Sequence, residues 1–133
     1  MSGFELAYTL HGGDAHKLRL AVKTGSEATV VAGTMIQLDA GEADVAAHDS
    51  ADILGVCTGV NADGTAEVIV DPMAVYRVAD ATARALGATL DLASGARGVT
   101  TSSSATVVVA GLSPAGAPTL VKIATTQHAF TAS

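Results

Sequence analysis

The stretch "DILGVCTGVNADGTAEVIV", residues 52–70, decides the fold class. Two apolar runs, 53–60 and 66–70, flank the polar sequence "NADG" at 61–64. Asn, Asp and Gly tolerate the positive backbone φ angles of tight turns, so a short polar segment between two strand-like runs indicates a β-hairpin. The stretch therefore predicts two antiparallel strands, and much of the remaining chain follows the same pattern.

The N-terminal residues show the two-residue period of β-strands. Apolar and other side chains alternate over 4–10, "HGGDA" at 11–15 supplies turn residues, and alternation resumes over 18–22. We therefore expect an N-terminal β-hairpin or arm over residues 1–24, followed by a β-rich remainder of the same single domain over 25–133. Its second strand carries a basic face opposite an apolar one: Lys17, Arg19 and Lys23 against Leu18, Leu20 and Val22.

Further strands are expected at short spacing along the rest of the chain. One segment, "DATARALG" at 80–87, favours a short helix, because Asp80 can cap its N-terminus and Gly87 can end it. Many short strands with one small helix predict an all-β barrel-like or sandwich-like domain. Strands are predicted within 29–39 in two pieces broken at Gly33, and at 73–79, 88–93, 106–112 and 119–124, whereas 40–52 and 94–105 are predicted loops.

Charge limits the classes of partner. The formal net charge is −6, and no Lys or Arg lies between Lys23 and Arg77, a region that holds nine Asp and Glu residues. Binding to nucleic acid depends on clustered Lys and Arg near the phosphates. We therefore expect no nucleic-acid partner, and we interpret most of the acidic residues as a solvated surface.

Composition indicates a thin core. Ala is the commonest residue, Trp is absent, and the chain has two Tyr and two Phe. Large side chains supply most of the free energy of burial, so association with a second copy or with a larger body is an expected source of stability. The N-terminus lacks the pattern of a signal peptide and no segment reaches membrane-spanning length, so we expect no membrane partner.

Catalytic and metal-binding patterns are weak. The single cysteine, Cys57, lies in an apolar run and is interpreted as a small buried hydrophobic residue. His11 and His16 flank the Gly-Gly turn, but no third ligand is evident in the sequence, and the turn "NADG" lacks the remaining ligands of a calcium-binding loop. We therefore expect no cofactor, no metal and no enzymatic activity.

Four segments carry a resemblance to a known family. They are "VVAGTMIQLD" at 30–39, "ADILGVCTGV" at 51–60, "AEVIVDPMAVYRV" at 66–78 and "GATLDLASGARGVT" at 87–100. Their order and spacing resemble the small head-decoration, or capsid cement, proteins of tailed bacteriophages, over about residues 28–124. The shared features are a Gly-containing strand, a strand that begins Leu-Gly-Val, a strand that ends Val-Asp-Pro, and a late Gly-Val-Thr element.

The resemblance implies a compact β-barrel-like domain that forms homotrimers and binds the outside of an assembled phage capsid, with the major capsid protein as its partner. The expected location is the capsid exterior of the virion, after synthesis in the host cytoplasm. Two other classes stay open: a binding module of a phage tail or fibre, and a small enzyme whose site is not recognisable. A sugar-binding tail module usually exposes Trp or Tyr for stacking, and Trp is absent here.

The N-terminal segment supplies candidate capsid contacts. Lys17, Arg19 and Lys23 form the basic cluster of an acidic protein, and Leu18 and Leu20 lie on the other face of the same strand. We expect the basic residues to face acidic capsid residues, and Leu18 and Leu20 to be buried against the shell. The alternative is an ordinary pair of strands in the domain's own sheet.

Overall fold

The protein is a β-sandwich. A computed structural model describes residues 3–46, 53–71, 73–79, 85–101, 107–112 and 119–123. These residues form eleven β-strands in two sheets that pack face to face, which confirms the expected all-β class and makes the domain sandwich-like rather than a closed barrel. The strands are β1 (Glu5–Thr9), β2 (Lys17–Ala21), β3 (Met35–Asp39), β4 (Glu42–Val45), β5 (Ile53–Val60), β6 (Thr65–Ile69), β7 (Ala74–Val78), β8 (Thr89–Leu92), β9 (Val99–Thr101), β10 (Val107–Leu112) and β11 (Thr119–Ile123).

Among the described strands the chain changes sheet twice, between β1 and β2 and between β6 and β7. The first sheet has the order β1-β7-β11-β10-β8-β9, and the second has the order β2-β6-β5-β3-β4. All strand pairs are antiparallel. Among the described strands, β1 is thus an edge of the first sheet, and β2, which follows it in the chain, is an edge of the second.

The stretch at 52–70 forms the predicted hairpin. Cys57 pairs with Val68, and Val60 pairs with Ala66. The backbone N–H of Asn61 donates to the carbonyl of Thr65 at 2.7 Å. Gly64 has a φ of 88°, a value that a residue with a side chain rarely adopts. Because β5 and β6 are the central strands of the second sheet, this hairpin organises that layer.

Alternation along the second sheet divides its side chains between two cores. On β6, Ile69 faces the first sheet, whereas Ala66 and Val68 face the opposite side. The larger core lies between the sheets and includes Tyr76. The smaller core is enclosed by the second sheet itself, which curls until Val22 at the end of β2 forms a bridge with Ala43 of β4. These two small cores replace the single core that the composition suggested.

The predicted N-terminal hairpin is wrong in its pairing. Strand β1 pairs with β7, from Glu5 opposite Arg77 to Thr9 opposite Ala74. Strand β2 pairs with β6, from Lys17 opposite Ile69 to Ala21 opposite Thr65. Alternation marks both segments correctly as strands, but each pairs with a strand that is distant in sequence, and the two partners lie in different sheets. The residues between them connect the two sheets.

Four other predictions concern residues that the structure describes at least in part. The acidic segment contains β4, and the Gly-rich segment contains β9, so neither 40–52 nor 94–105 is entirely loop. Residues 29–31 form a turn rather than the first of the two predicted strand pieces. Residues 80–84 of the predicted helix lie outside the described residues, and Ala85 to Ala88 form a turn.

Candidate functional site

The two neighbouring edge strands border a cleft between the sheets. The cleft has a volume of about 400 Å³ and opens to solvent beside β1 and β2. Phe4 and Leu6 line it from the first sheet, and Val56 and Ile69 line it from the second. Ala32 and Gly33 add backbone and a methyl group at the loop that precedes β3. The interlayer core is therefore open at one edge, where an apolar group from outside can enter.

Lys17 lies at the mouth of this cleft. It is opposite Ile69 on the neighbouring strand, and cross-strand partners project from the same face of a sheet, so its side chain extends towards the first sheet. Glu5 lines the cleft from β1, but its carboxylate accepts a hydrogen bond from Arg77 at 2.7 Å. Lys17 has no ion-pair partner within the part of the chain that the structure describes.

The other residues of the predicted basic cluster do not share this position. The guanidinium of Arg19 is exposed and lies 3.9 Å from the Glu67 carboxylate. Lys23 contacts Asp39 and Asp44, and the hydrogen bond from Lys23 to Asp39 raises the pKa of the lysine. Its charge is therefore neutralised within the domain. The three basic residues that the sequence grouped are therefore separated. Lys17 lies at the cleft without an acidic partner among the described residues, Arg19 lies near Glu67, and Lys23 links the chain after β2 to β3 and β4.

The predicted apolar contacts face the inside of the domain. Leu18 and Leu20 are half-buried and pack against the smaller core, on the opposite face of β2 from Lys17. Little of their surface is left for a partner to cover. The contact candidates on β2 are therefore Lys17 and Arg19, with the free edge of the strand.

A buried carboxylate fixes the connector between β1 and β2. The Asp71 side chain accepts hydrogen bonds from His11 Nε2 at 2.6 Å and from the backbone N–H of Met73 at 3.0 Å. Nδ1 of His11 accepts from the Gly13 N–H at 3.0 Å, so the donor proton lies on Nε2. Burial raises the pKa of Asp71, but the hydrogen bonds from His11, Met73 and His16 outweigh it and leave the pKa below its usual range. The carboxylate thus ties the connector to the link between β6 and β7.

Three large apolar side chains are exposed beside this connector. Tyr8, Leu10 and Met73 retain 46%, 57% and 44% of their accessible surface. The Leu10 N–H donates to the Met73 carbonyl at 2.9 Å, which places the two residues side by side. A group of exposed apolar residues at one end of a small domain is typical of an interaction surface. We use the term edge surface for Lys17 and the cleft; Tyr8, Leu10 and Met73 form a separate exposed apolar group at the connector.

Buried polar groups offer little for catalysis in the described residues. The Cys57 thiol is buried, and burial raises its pKa, so it stays protonated and is a weak nucleophile. The Tyr76 hydroxyl lies in the interlayer core, where burial also raises its pKa. Within the described ranges, no group of three His, Cys, Asp or Glu side chains is arranged to hold a metal.

Neither the models of protein families nor the curated proteins include a match to this chain. Within the described ranges, no helix has the length and apolar character needed to cross a membrane.

Proposed function

We propose that this protein is a structural virion protein that binds the outside of an assembled phage capsid and stabilises it. Two features carry the proposal: the edge surface, with its open apolar cleft beside strands β1 and β2, and the exposed apolar group of Tyr8, Leu10 and Met73. These are features of a protein that binds another protein surface. The segments that resemble capsid cement proteins supply the identity of the partner, the major capsid protein.

Free strand edges suit this role because they can accept an added strand. Among the described strands, β1 has no neighbour on its outer side and β2 is bridged to β4 only at its end, by Val22, so a neighbouring chain can add a strand beside β1 or beside the start of β2 by β-augmentation. Burial of exposed apolar side chains in the same contact supplies affinity, and the positive charge of Lys17 and Arg19 can steer the encounter with an acidic surface. A cement protein acts by making such contacts at many equivalent positions of the shell.

Trimeric association is part of the same proposal, and the apolar residues of β7 and β8 are candidates for the subunit contact because their strands alternate. Val75, Val78, Leu90 and Leu92 are, however, all fully buried within one chain. A trimer contact would therefore use other residues, and the edge surface is available for either the capsid or a second copy. Sedimentation of the free protein tests the association: a trimer is expected, and a monomer would leave assembly on the capsid as the route to the trimer.

Copy number in purified particles tests the proposed function. Quantitative mass spectrometry of virions should find this chain at a copy number comparable to that of the major capsid protein. A few copies per particle would instead favour a component of the tail or fibre. Absence from purified particles would refute both forms of the proposal.

A further inference from the structure

The position of Lys17 defines the chemistry at the mouth of the cleft. Among the described residues, Arg19, Lys23 and Arg77 each have an acidic partner. Lys17 and Lys122 do not. Lys122 lies on β11 with its neighbours Val121 and Ile123 in the interlayer core, so its own side chain is on the opposite face of the first sheet. Lys17 is thus a cation without an acidic partner among the described residues, beside an apolar opening where the guanidinium of Arg97 also donates to the Ala32 carbonyl at 2.8 Å.

The cleft can accept one apolar group without displacing the core. Its volume, about 400 Å³, is at the lower end of the range of ligand pockets. Val56 and Ile69 form an apolar floor, and Leu6 forms a wall. A side chain that enters here would continue the interlayer core, and a carboxylate next to it in the same ligand would lie near the Lys17 amine.

The shape of the opening favours an extended peptide over a compact small molecule. The cleft is lined by β1 and by Lys17 at the start of β2, where no other described strand pairs on their outer side, so an extended segment there can hydrogen-bond to their backbone. A positively charged site in a protein of net charge −6 also selects an acidic segment over a basic one.

We propose that the cleft receives an apolar side chain from an extended segment of the major capsid protein, and that Lys17 pairs with an acidic residue beside that side chain. This inference rests on the proposed function, because it names the contact through which the protein holds the shell. Lys17 supplies orientation and charge complementarity, and the apolar floor supplies burial.

The direct test is a zero-length crosslink. The protein is bound to undecorated shells assembled from the capsid protein of the same phage, treated with a carbodiimide that joins an amine to a carboxylate, and mapped by peptide mass spectrometry. The expected product joins Lys17 to an Asp or Glu of the capsid protein next to a large apolar residue. Lys17→Arg should retain binding and lose this crosslink, because a guanidinium does not form the amide.

Binding of two further variants tests charge and cleft separately. Lys17→Glu should weaken binding by about tenfold at low salt, with a smaller effect at high salt. Ala32→Phe places a ring at the mouth of the cleft and should weaken binding by at least about tenfold by blocking entry. Lys122→Glu makes the same charge change on the opposite face and is the matched control, with binding unchanged. Circular dichroism verifies that all variants are folded.

The outcomes separate this inference from the proposed function. If wild-type protein does not bind shells, the proposed function fails. If wild-type binds and both Lys17→Glu and Ala32→Phe bind equally well, the cleft contact is wrong while the function stands. A Lys17 crosslink to a second copy of this chain, or a small molecule retained in native mass spectra and lost in Ala32→Phe, would also overturn the assignment of the capsid segment.

Discussion

Replacing Gly55 with Ala should severely destabilise the protein, because β5 passes close to the neighbouring backbone at this residue. A Cβ atom built on Gly55 would lie 1.5 Å from the carbonyl oxygen of Ile69 and 2.7 Å from its carbonyl carbon. To reach an ordinary contact of roughly 3.5 Å, the methyl group and this oxygen would have to separate by about 2 Å. The obstacle is backbone in the central hairpin, so side-chain rotation cannot relieve it.

The size of the expected loss in the free energy of unfolding follows from two opposing effects. Overpacking of a tightly packed interior costs about 1–3 kcal/mol, and displacement of central strands places this substitution at or above the upper value. The loss of conformational freedom in the unfolded chain offsets only about 0.4–1 kcal/mol when Gly becomes Ala. The expected net loss is at least about 2 kcal/mol, a large part of the roughly 5–15 kcal/mol that stabilises a typical domain.

Urea denaturation followed by circular dichroism measures this loss. With a slope of about 2 kcal/mol per molar urea, the midpoint should fall by about 1 M or more. Gly59→Ala in the same strand is the matched control, since its Cβ would meet no atom within 4 Å. We expect that variant to stay within about 1 kcal/mol of wild type. Equal stability of both variants would refute the close approach of β5 and β6.

Other predictions concern the N-terminal strands and their connector. Asp71→Asn should lower the free energy of unfolding by about 1–2 kcal/mol in urea titrations, because it weakens the hydrogen bonds from His11 and the backbone, whereas Asp14→Asn should have little effect. Folding lowers the pKa of Asp71, so the stability that its carboxylate adds is complete above its unfolded pKa near 4 and is lost as the pH falls through the folded pKa. Wild-type thermal midpoints should therefore drop in acid more steeply than those of Asp71→Asn. Deleting residues 1–24 should prevent folding, as judged by circular dichroism, because it removes an edge strand from each sheet; a folded remainder would show that β1 and β2 are a dispensable arm.

Sequence patterns predicted which segments form strands better than they predicted which strands pair with each other. The turn chemistry of Asn61 to Gly64 predicted the β5–β6 hairpin correctly, because the signal is local. The pairing of β1 and β2 depended on strands more than forty residues away, and alternation carries no information about which strand is adjacent. The nearest alternating neighbour was therefore the wrong choice.

Strand β4 was missed because its composition looks like a solvated loop. Ala43 is buried although it is small, and Asp44 is stabilised by a hydrogen bond from Ser26 Oγ at 2.6 Å and by Lys23 at 3.8 Å. Asp44 is therefore partly covered and paired within the domain, whereas Asp49 and Asp52 lie outside the described residues. Because the residues that contact the Asp44 carboxylate are distant in sequence, the sequence around Asp44 does not indicate that it is paired.

The candidate site was predicted in part. Alternation placed Lys17 and Arg19 on one face of β2 and Leu18 and Leu20 on the other, as the structure has them. The cleft could not be predicted, because it arises where edges of two different sheets meet. The hydrogen bond from His11 to Asp71 likewise joins residues sixty positions apart, and the sequence around either residue does not suggest it.

The most direct test of the central proposal is co-sedimentation of the purified protein with undecorated shells of the phage that encodes it, followed by thermal disruption of the particles. We predict saturable binding at many equivalent positions and a higher temperature of shell disruption after binding. A protein that stays in the supernatant at saturating concentration, or that binds without raising that temperature, would contradict a role as capsid cement.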